Sequence, residues 1–149
     1  MTITGEYVPS PTEWVRKQVE TIEETGTTDS VQIMDRPVVL LTMLGVSGKV
    51  RKVPLMRVEH DGVYAAVASK GGAPENPKWY ANVVKNPVLD LQDGRRVSTV
   101  RARQLEGAER EEWWERCVAA YPPYAEYQTK TDRQIQVFVL EPVEGSGSD

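Results

Sequence analysis

The sequence is poor in the residues that build disulfides, metal centres and haem sites. Its 149 residues include one cysteine, one histidine and one phenylalanine. A single cysteine, Cys117, excludes an intramolecular disulfide and a thiolate metal site, and its helical surroundings predict a small core residue. The only histidine, His60, precedes an Asp-Gly pair and is predicted to be a turn residue. We therefore expect no metal site.

Long apolar runs and an excess of positive charge are also missing. No stretch approaches the length of about eighteen apolar residues that a membrane-spanning helix needs, and the N-terminus lacks the pattern of a secretory signal. We therefore expect a cytoplasmic protein. The net charge of −4 disfavours nucleic acid as a partner. With 40% hydrophobic and 27% charged residues, the chain is predicted to form a globular core that needs no disulfide or metal ion for its stability.

Hydrophobic patterns and turn residues predict the order of the secondary structure. The predicted strands are residues 38–44, 50–59, 63–68, 88–92, 96–104 and 135–140. The predicted helices are residues 11–24, 76–85, 107–120 and 124–127. Asp-Gly pairs at 61–62 and 93–94 are hairpin signals, and hairpins require antiparallel pairing. The pattern favours an α+β fold in which about six mostly antiparallel strands form a closed or half-closed barrel with flanking helices.

The chain is predicted to have three parts. Residues 1–30 form an N-terminal helical segment, residues 31–143 form the barrel, and residues 144–149 read as a flexible tail of glycine, serine and acidic residues. The first helix has an apolar stripe that includes Trp14, Val19 and Ile22. We expect this stripe to pack on the barrel, although covering a site or resting on a membrane surface are alternatives.

The apolar strand that ends at Ala68 is followed by Ser69-Lys70-Gly71-Gly72. Successive N–H groups in a glycine turn form a concave site for anions, and a lysine adds positive charge. A helix begins shortly afterwards, at Asn76. This segment is either an ordinary polar loop or the loop that holds a ligand.

Positive charge collects just after a predicted glycine turn, at Lys49, Arg51 and Lys52. Lys49 and Arg51 share one face of the predicted strand and Lys52 has the other. The cluster is either a soluble edge strand protected by its charges or a contact for an anionic ligand. Contact with an anionic ligand is more favoured than it would be for this strand alone, because Lys70 lies at the end of a neighbouring predicted strand.

Three tyrosines, Tyr121, Tyr124 and Tyr127, follow one another at intervals of three residues. That spacing places their hydroxyls near one face of a helix, where they either pack in the core or contact a ligand. At least one of the adjacent Trp79 and Tyr80 is predicted on the core face of its helix. Because no serine–histidine relay or perturbed carboxylate pair is visible, an enzyme with this sequence would depend on a cofactor.

Taken in order, these motifs resemble the deazaflavin-dependent nitroreductase family of actinobacteria. The resemblance covers about residues 36–142. It rests on Gly45, Ser47, Gly48, Arg51, Pro54, Leu55, the run Ala68-Ser69-Lys70-Gly71-Gly72, Asn76, Pro77, Trp79, Tyr80, Asn82, Asn86, Pro87, and the final group Tyr121, Pro122, Tyr124, Tyr127, Gln128, Thr131, Asp132 and Arg133.

The resemblance implies a split β-barrel that binds coenzyme F420, an 8-hydroxy-5-deazaflavin with a phosphodiester and a polyglutamate tail. It also implies hydride transfer from the reduced cofactor to a quinone, an activated enone or a nitro compound. By similarity, Ser69, Tyr124 or Tyr127 would donate to the developing oxyanion, and the substrate pocket would include Met56, Tyr121, Tyr124 and Tyr127. The implied cofactor residues are Lys49, Arg51, Lys52, Pro54, Ala68, Ser69, Lys70, Gly71, Gly72, Asn76 and Trp79.

Two features depart from the family pattern. The glycine turn at 45–48 is one residue shorter and lacks two cations, and Met56 stands where a substrate-side tyrosine is found. The second difference suggests a different or wider acceptor pocket. An FMN-binding split-barrel oxidoreductase and a non-catalytic F420-binding protein are the alternatives, and the natural acceptor and oligomeric state stay open.

Overall fold

The structure is a computed structural model that describes residues 3–143, so the predicted tail at 144–149 lies outside the described residues. The strands are β1 Val38–Leu44, β2 Val50–Met56, β3 Glu59–His60, β4 Val63–Val67, β5 Val88–Asp93, β6 Arg96–Gln104 and β7 Val137–Pro142. The α-helices are α1 Glu13–Thr25, α2 Trp79–Lys85, α3 Gly107–Ala120 and α4 Pro123–Thr129, and two short 3₁₀ turns lie at Thr28–Ser30 and Lys70–Gly72.

The strands form one antiparallel sheet in the order β2-β1-β5-β6-β7-β4-β3. If this sheet were flat, its edges would be roughly 29 Å apart, at about 4.8 Å per strand. However, the edge strands β2 and β3 are joined by only Arg57 and Val58, a link that reaches at most about 11 Å. The sheet must therefore curl until its edges nearly meet, which makes it the split β-barrel that the sequence predicts.

Alternating side chains give the curled sheet two buried faces. The inner face holds Leu41, Met43 and Phe138 against α2. The outer face holds Val137 and Val139 against α3 and α4. Because both faces are covered, strands such as β1 read as continuous apolar runs rather than as alternating ones.

The N-terminal segment packs against the barrel. Val19 and Ile22 of α1 form a cluster with Leu40 of β1, so the apolar stripe of this helix contacts the sheet. Ahead of the helix, the N–H of Val8 donates to the carbonyl of Val50, and the Val50 N–H donates to the Glu6 carbonyl. The chain between Glu6 and Val8 thus runs along the outer edge of β2.

Membrane contact through α1 is not supported. Its buried residues face the sheet, although Trp14 near its first turn is 53% exposed. Within residues 3–143, no helix combines the length and hydrophobicity needed to cross a bilayer.

Several element boundaries differ from the predictions by one to three residues, and three of these differences have an identifiable local cause. The predicted strand 50–59 divides because Arg57 donates its N–H to Pro37 beside β1, whereas Val58 accepts from Ala65 in β4. The last strand begins at Val137 rather than at Ile135, whose N–H donates to the Gln128 side chain. The second helix begins at Trp79 rather than at residue 76, because the chain before it is held by contacts described below.

Candidate functional site

The segment 68–76, which we call the cofactor loop, is held by a residue to which the sequence analysis assigned no role. Arg133 donates from Nη2 to the carbonyls of Ala68, Ser69 and Glu75, each at 3.1 Å. Its Nε donates to the Ala73 carbonyl at 3.0 Å, and its Nη1 donates to Asn76 Oδ1 at 2.9 Å. Arg133 lies within the resemblance, but its partners are distant in sequence and no local signal identifies them.

The two glycines of the loop have different surroundings. A Cβ on Gly72 would lie 2.6 Å from the Tyr127 carbonyl oxygen and 3.0 Å from Lys130 Cβ, so only glycine allows α4 to sit on the loop. A Cβ on Gly71 would meet nothing within 4 Å. Both have positive φ, of 85° and 64°. Gly72 thus serves packing within the protein, and Gly71 leaves open backbone for a ligand.

Two further loop groups are available to a ligand. The Ser69 hydroxyl makes no hydrogen bond to any residue in the range 3–143, and Ser69 is half-buried. Lys70 is exposed, and its Nζ pairs with Glu75 Oε1 at 2.9 Å. The hydrogen bond from Lys70 is the main cause that lowers the pKa of the exposed Glu75 carboxyl. The loop therefore offers a hydroxyl and a cation that is shared with one carboxylate.

The three tyrosines form one cluster at the start of α4. The Tyr121 and Tyr124 rings lie edge to face with centroids 4.9 Å apart. The hydroxyls of Tyr121 and Tyr127 share a hydrogen bond of 3.0 Å. Met56 of β2 and Tyr127 both pack against the outer-face core that contains Tyr121 and Tyr124, so all four predicted substrate residues belong to one side of the sheet.

The cluster holds two of its hydroxyls in the protonated form. The hydrogen bond to Tyr121, and after it burial, raises the pKa of Tyr127 to about 12. Burial raises the pKa of Tyr124 well above its usual range. The Tyr124 hydroxyl donates to no other residue in the part of the chain that the structure describes. At neutral pH these groups can act as hydrogen-bond donors to an oxygen on which negative charge develops.

The three cations of the basic segment do not share one surface. Lys49, before β2, pairs with Glu6 at 2.8 Å. Lys52 lies on the outer face, where its Nζ is 3.2 Å from Glu23 Oε1 in α1. Arg51 lies on the inner face beside the glycine turn, its Cγ 3.3 Å from a Cβ built on Gly45. Within residues 3–143 Arg51 has no ion pair.

The remaining predicted cofactor residues are mostly in the protein core. Ala68 and Trp79 belong to the inner cluster, and Trp79 contacts Phe138 at a centroid distance of 6.0 Å. Pro54 is buried within β2. The side-chain oxygen of Asn76 accepts from Arg133. Among them, Asn76 supports the loop directly through Arg133.

Two asparagines near the C-terminal end of α2 hold the shortened glycine turn at 45–48. Asn82 Oδ1 accepts from the Val46 N–H at 3.0 Å, and Asn86 Nδ2 lies 3.4 Å from the carbonyls of Leu44 and Gly45. The cofactor loop leads into the N-terminal end of α2. The seven residues of α2 rise by roughly 10 Å, so α2 sets the spacing between the turn beside Arg51 and the cofactor loop.

Comparison with known proteins decides the family. The family model described as F420H(2)-dependent quinone reductase matches residues 14–142. The chain belongs to this family. An F420H(2)-dependent quinone reductase of Mycobacterium tuberculosis is 31% identical over 108 residues, which are 70% of this chain and 72% of the relative. A second protein of that organism, provisionally given the same name, is 38% identical over 96 residues, 64% of this chain and 81% of the relative.

Two solved structures are more similar in sequence. One is described as an F420-H2 dependent reductase, FDR-A, with 61% identity, a TM-score of 0.68 and coverage of 74% of this chain and 99% of that one. The other is described as a domain-swapped dimer, with 62% identity, a TM-score of 0.70 and coverage of 89% and 100%. Family membership confirms the predicted oxidoreductase class and F420 as the cofactor.

Proposed function

We propose that this protein transfers a hydride from reduced F420 to a quinone, with the cofactor over the loop 68–76 and the acceptor beside the three tyrosines. The observation that carries the proposal is the contact at Gly72, where the Tyr127 carbonyl would lie 2.6 Å from an added Cβ. Because α4 sits directly on the cofactor loop, the phenol cluster and the loop border one another. A hydride donor and its acceptor need that adjacency.

The residues present fit this cofactor. Gly71 leaves the backbone open, and Ser69 has an unused hydroxyl, so a planar ring with polar edges can approach the loop closely. Arg51 and Lys70 would attract the phosphodiester and glutamate tail. When bound, reduced F420 supplies the hydride. The protein's own residues supply orientation and hydrogen bonding.

The phenols are proposed to act on the acceptor. Tyr124 and Tyr127 stay protonated far above neutral pH, and each can donate to a quinone oxygen as it gains negative charge. Met56 occupies the side of the pocket near β2 without adding another hydroxyl. This arrangement favours an apolar, oxygen-bearing acceptor such as a quinone over one that needs an additional hydrogen-bond donor.

A titration and a turnover assay test the proposal. Quenching of F420 fluorescence should report tight binding, with FMN binding far more weakly. Single-turnover oxidation of F420H2 by a naphthoquinone should then be faster than by a cyclohexenone or a nitroimidazole. Preferential FMN binding would indicate the flavin alternative, and F420 binding without oxidation by any of the three acceptors would indicate a non-catalytic binder. Sedimentation of the same sample gives the oligomeric state, which matters because one relative is described as a domain-swapped dimer.

A further inference from the structure

We propose that Arg133 is a positioning residue that turns the peptide N–H groups of Ser69 and Lys70 toward the cofactor. This inference rests on the proposed function. Arg133 itself is half-buried behind the loop and is not proposed to touch the reacting atoms.

Peptide geometry fixes the direction of these N–H groups. In a trans peptide the C=O and N–H groups point in opposite directions, and the structure has no cis bond among its described residues. Arg133 Nη2 draws the carbonyls of Ala68 and Ser69 toward the guanidinium. The N–H groups of the same two peptides, which belong to Ser69 and Lys70, must therefore point away from it.

Those two N–H groups are not used within the protein. Neither donates a hydrogen bond to another residue in the range 3–143, whereas the neighbouring N–H groups of Gly72 and Ala73 donate to Ser69 and Lys70 within the turn. Two adjacent, outward N–H donors form a site for a partly negative ligand edge. The Ser69 hydroxyl lies beside them and adds a third donor.

The loop backbone requires an external support at this point. Lys70 has a φ of 45°, which is left-handed backbone that a residue with a side chain disfavours by about 1 kcal/mol. Arg133 supports this conformation through bonds on both sides of Lys70, to the carbonyls of Ser69 and Ala73. An arginine suits the position because its planar fork presents donors on three nitrogens, with Nη2 sharing its two N–H groups among three carbonyls, whereas lysine has all three of its N–H groups on a single nitrogen.

Arg133 also adds charge to the loop. No carboxylate in the described residues forms an ion pair with it, and its partners are four carbonyls and one amide oxygen. The positive charge is therefore shared with the loop rather than neutralised. An anionic or electron-rich ligand on the far side of the loop experiences that charge together with the two oriented N–H groups.

The test compares Arg133→Met and Arg133→Lys with Arg103→Met. Arg103 is a matched control because it is an exposed arginine whose ion-pair partners, Glu109 and Glu141, lie outside the cofactor loop. Each variant is examined by amide hydrogen exchange without cofactor, by thermal unfolding, and by F420 fluorescence titration. Steady-state kinetics at saturating F420H2 then give KM for the quinone.

The expected result is local. In Arg133→Met the amides of residues 69–76 exchange faster while those of the barrel strands do not, and F420 binds roughly 10- to 100-fold more weakly, the loss expected for several charge-assisted hydrogen bonds. The quinone KM stays unchanged, and Arg133→Lys recovers only part of the affinity.

Two results would overturn the inference. One is wild-type F420 affinity in Arg133→Met. The other is faster exchange throughout the barrel with a matching loss of thermal stability, which would make Arg133 a general structural residue. If the wild-type protein itself fails to bind F420, the proposed function fails, whereas the exchange data still decide whether Arg133 holds the loop.

Discussion

The two sides of the candidate site are built differently. On the acceptor side, Tyr121 and Tyr124 are buried and in ring contact, and they bring their hydrogen-bonding groups from one short stretch of chain. On the cofactor side, the exposed Lys70 pairs with the Glu75 carboxylate. Lys49 and Lys52 of the basic segment pair with Glu6 and Glu23 in the N-terminal segment.

This difference shows which interactions exist before a ligand arrives. The phenol cluster is already assembled, so its donors need little reorganisation. In the proposed complex, Lys70 exchanges the Glu75 carboxylate for an anionic group of the cofactor, so its gain in free energy is a small difference between similar interactions. We therefore expect the acceptor side to respond to shape and the cofactor side to respond to salt.

The largest effect is expected where the two sides meet. Gly72→Ala places a methyl group 2.6 Å from the Tyr127 carbonyl at a φ of 85°, and we expect a loss of about 3 kcal/mol in unfolding free energy. Gly71→Ala is the matched control, because it has a similar φ but open space, and should lose only about 1 kcal/mol. Urea unfolding measures both. Equal losses would show that α4 can move away from the loop at little cost.

The next effect concerns the acceptor side alone. Tyr124→Phe should slow quinone reduction at saturating F420H2 by about 100-fold, because it removes a protonated donor without changing the packing. Tyr64→Phe is the control. Its hydroxyl bonds to Asp93, and Tyr64 lies near the start of β4, at the opposite end from the cofactor loop. Single-turnover rates decide the matter, and a Tyr124→Phe rate equal to that of the control would remove this phenol from the proposed chemistry.

On the cofactor side, Arg51→Ala and Lys70→Ala should each weaken F420 binding by roughly tenfold at low salt, and by less at high salt because of screening. Arg101→Ala, an exposed arginine on β6, serves as the control. Fluorescence titration across a salt series gives the dependence. Unchanged affinity in both variants at low salt would mean that the proposed cations do not contact the cofactor tail.

Removing the carboxylate partner of Lys70 should change F420 affinity by a smaller factor and in the opposite direction. Glu75→Gln frees Lys70 from its ion pair and should tighten F420 binding by about two- to threefold at low salt. Glu13→Gln, which breaks the Lys17 pair on α1, is the control. Weaker binding in Glu75→Gln would show that this carboxylate supports the loop rather than competing with the cofactor.

The smallest effect is a pH dependence of stability. The folded-state pKa of Tyr127 is raised to about 12, above the value of about 10 expected in the unfolded chain. The stability that this hydroxyl contributes is complete below about pH 10 and is lost as the pH rises toward about 12. Urea unfolding between pH 9 and pH 11 should therefore show a shallower decline in Tyr127→Phe than in the wild type. Identical slopes would contradict the hydrogen bond to Tyr121.

Local signals explain why much of the fold was predictable. Strand β6 and helix α3 have the predicted bounds, Arg96–Gln104 and Gly107–Ala120, because Asp-Gly, Gly107 and Pro122 mark their ends. The division of the predicted strand 50–59 was not predictable, because it depends on Val58 bonding to Ala65 after the sheet has curled. The hydrophobic pattern does not change at that point.

The site was predictable in its residues but less so in their roles. The tyrosines and the Ser-Lys-Gly-Gly loop stand out as motifs, yet the reason for Gly72 is a contact with α4 rather than with a ring. Strand alternation separates Lys52 from Arg51, as predicted, but the ion pairs of Lys49 and Lys52 depend on Glu6 and Glu23 in the N-terminal segment. Arg133 bonds to residues 57 to 65 positions away, and a single sequence carries no record of such pairs.

The strip of chain from Glu6 to Val8 has a consequence for how copies of the protein meet. The unpaired N–H and C=O groups of an exposed edge strand can pair with another chain, which promotes aggregation. Here the peptide groups of Val50 are already satisfied by Glu6 and Val8. The segment from Glu6 to Val8 thus covers the start of this edge strand at Val50. A shortened chain that begins after Val8 would expose these backbone groups to pairing with another copy of the protein.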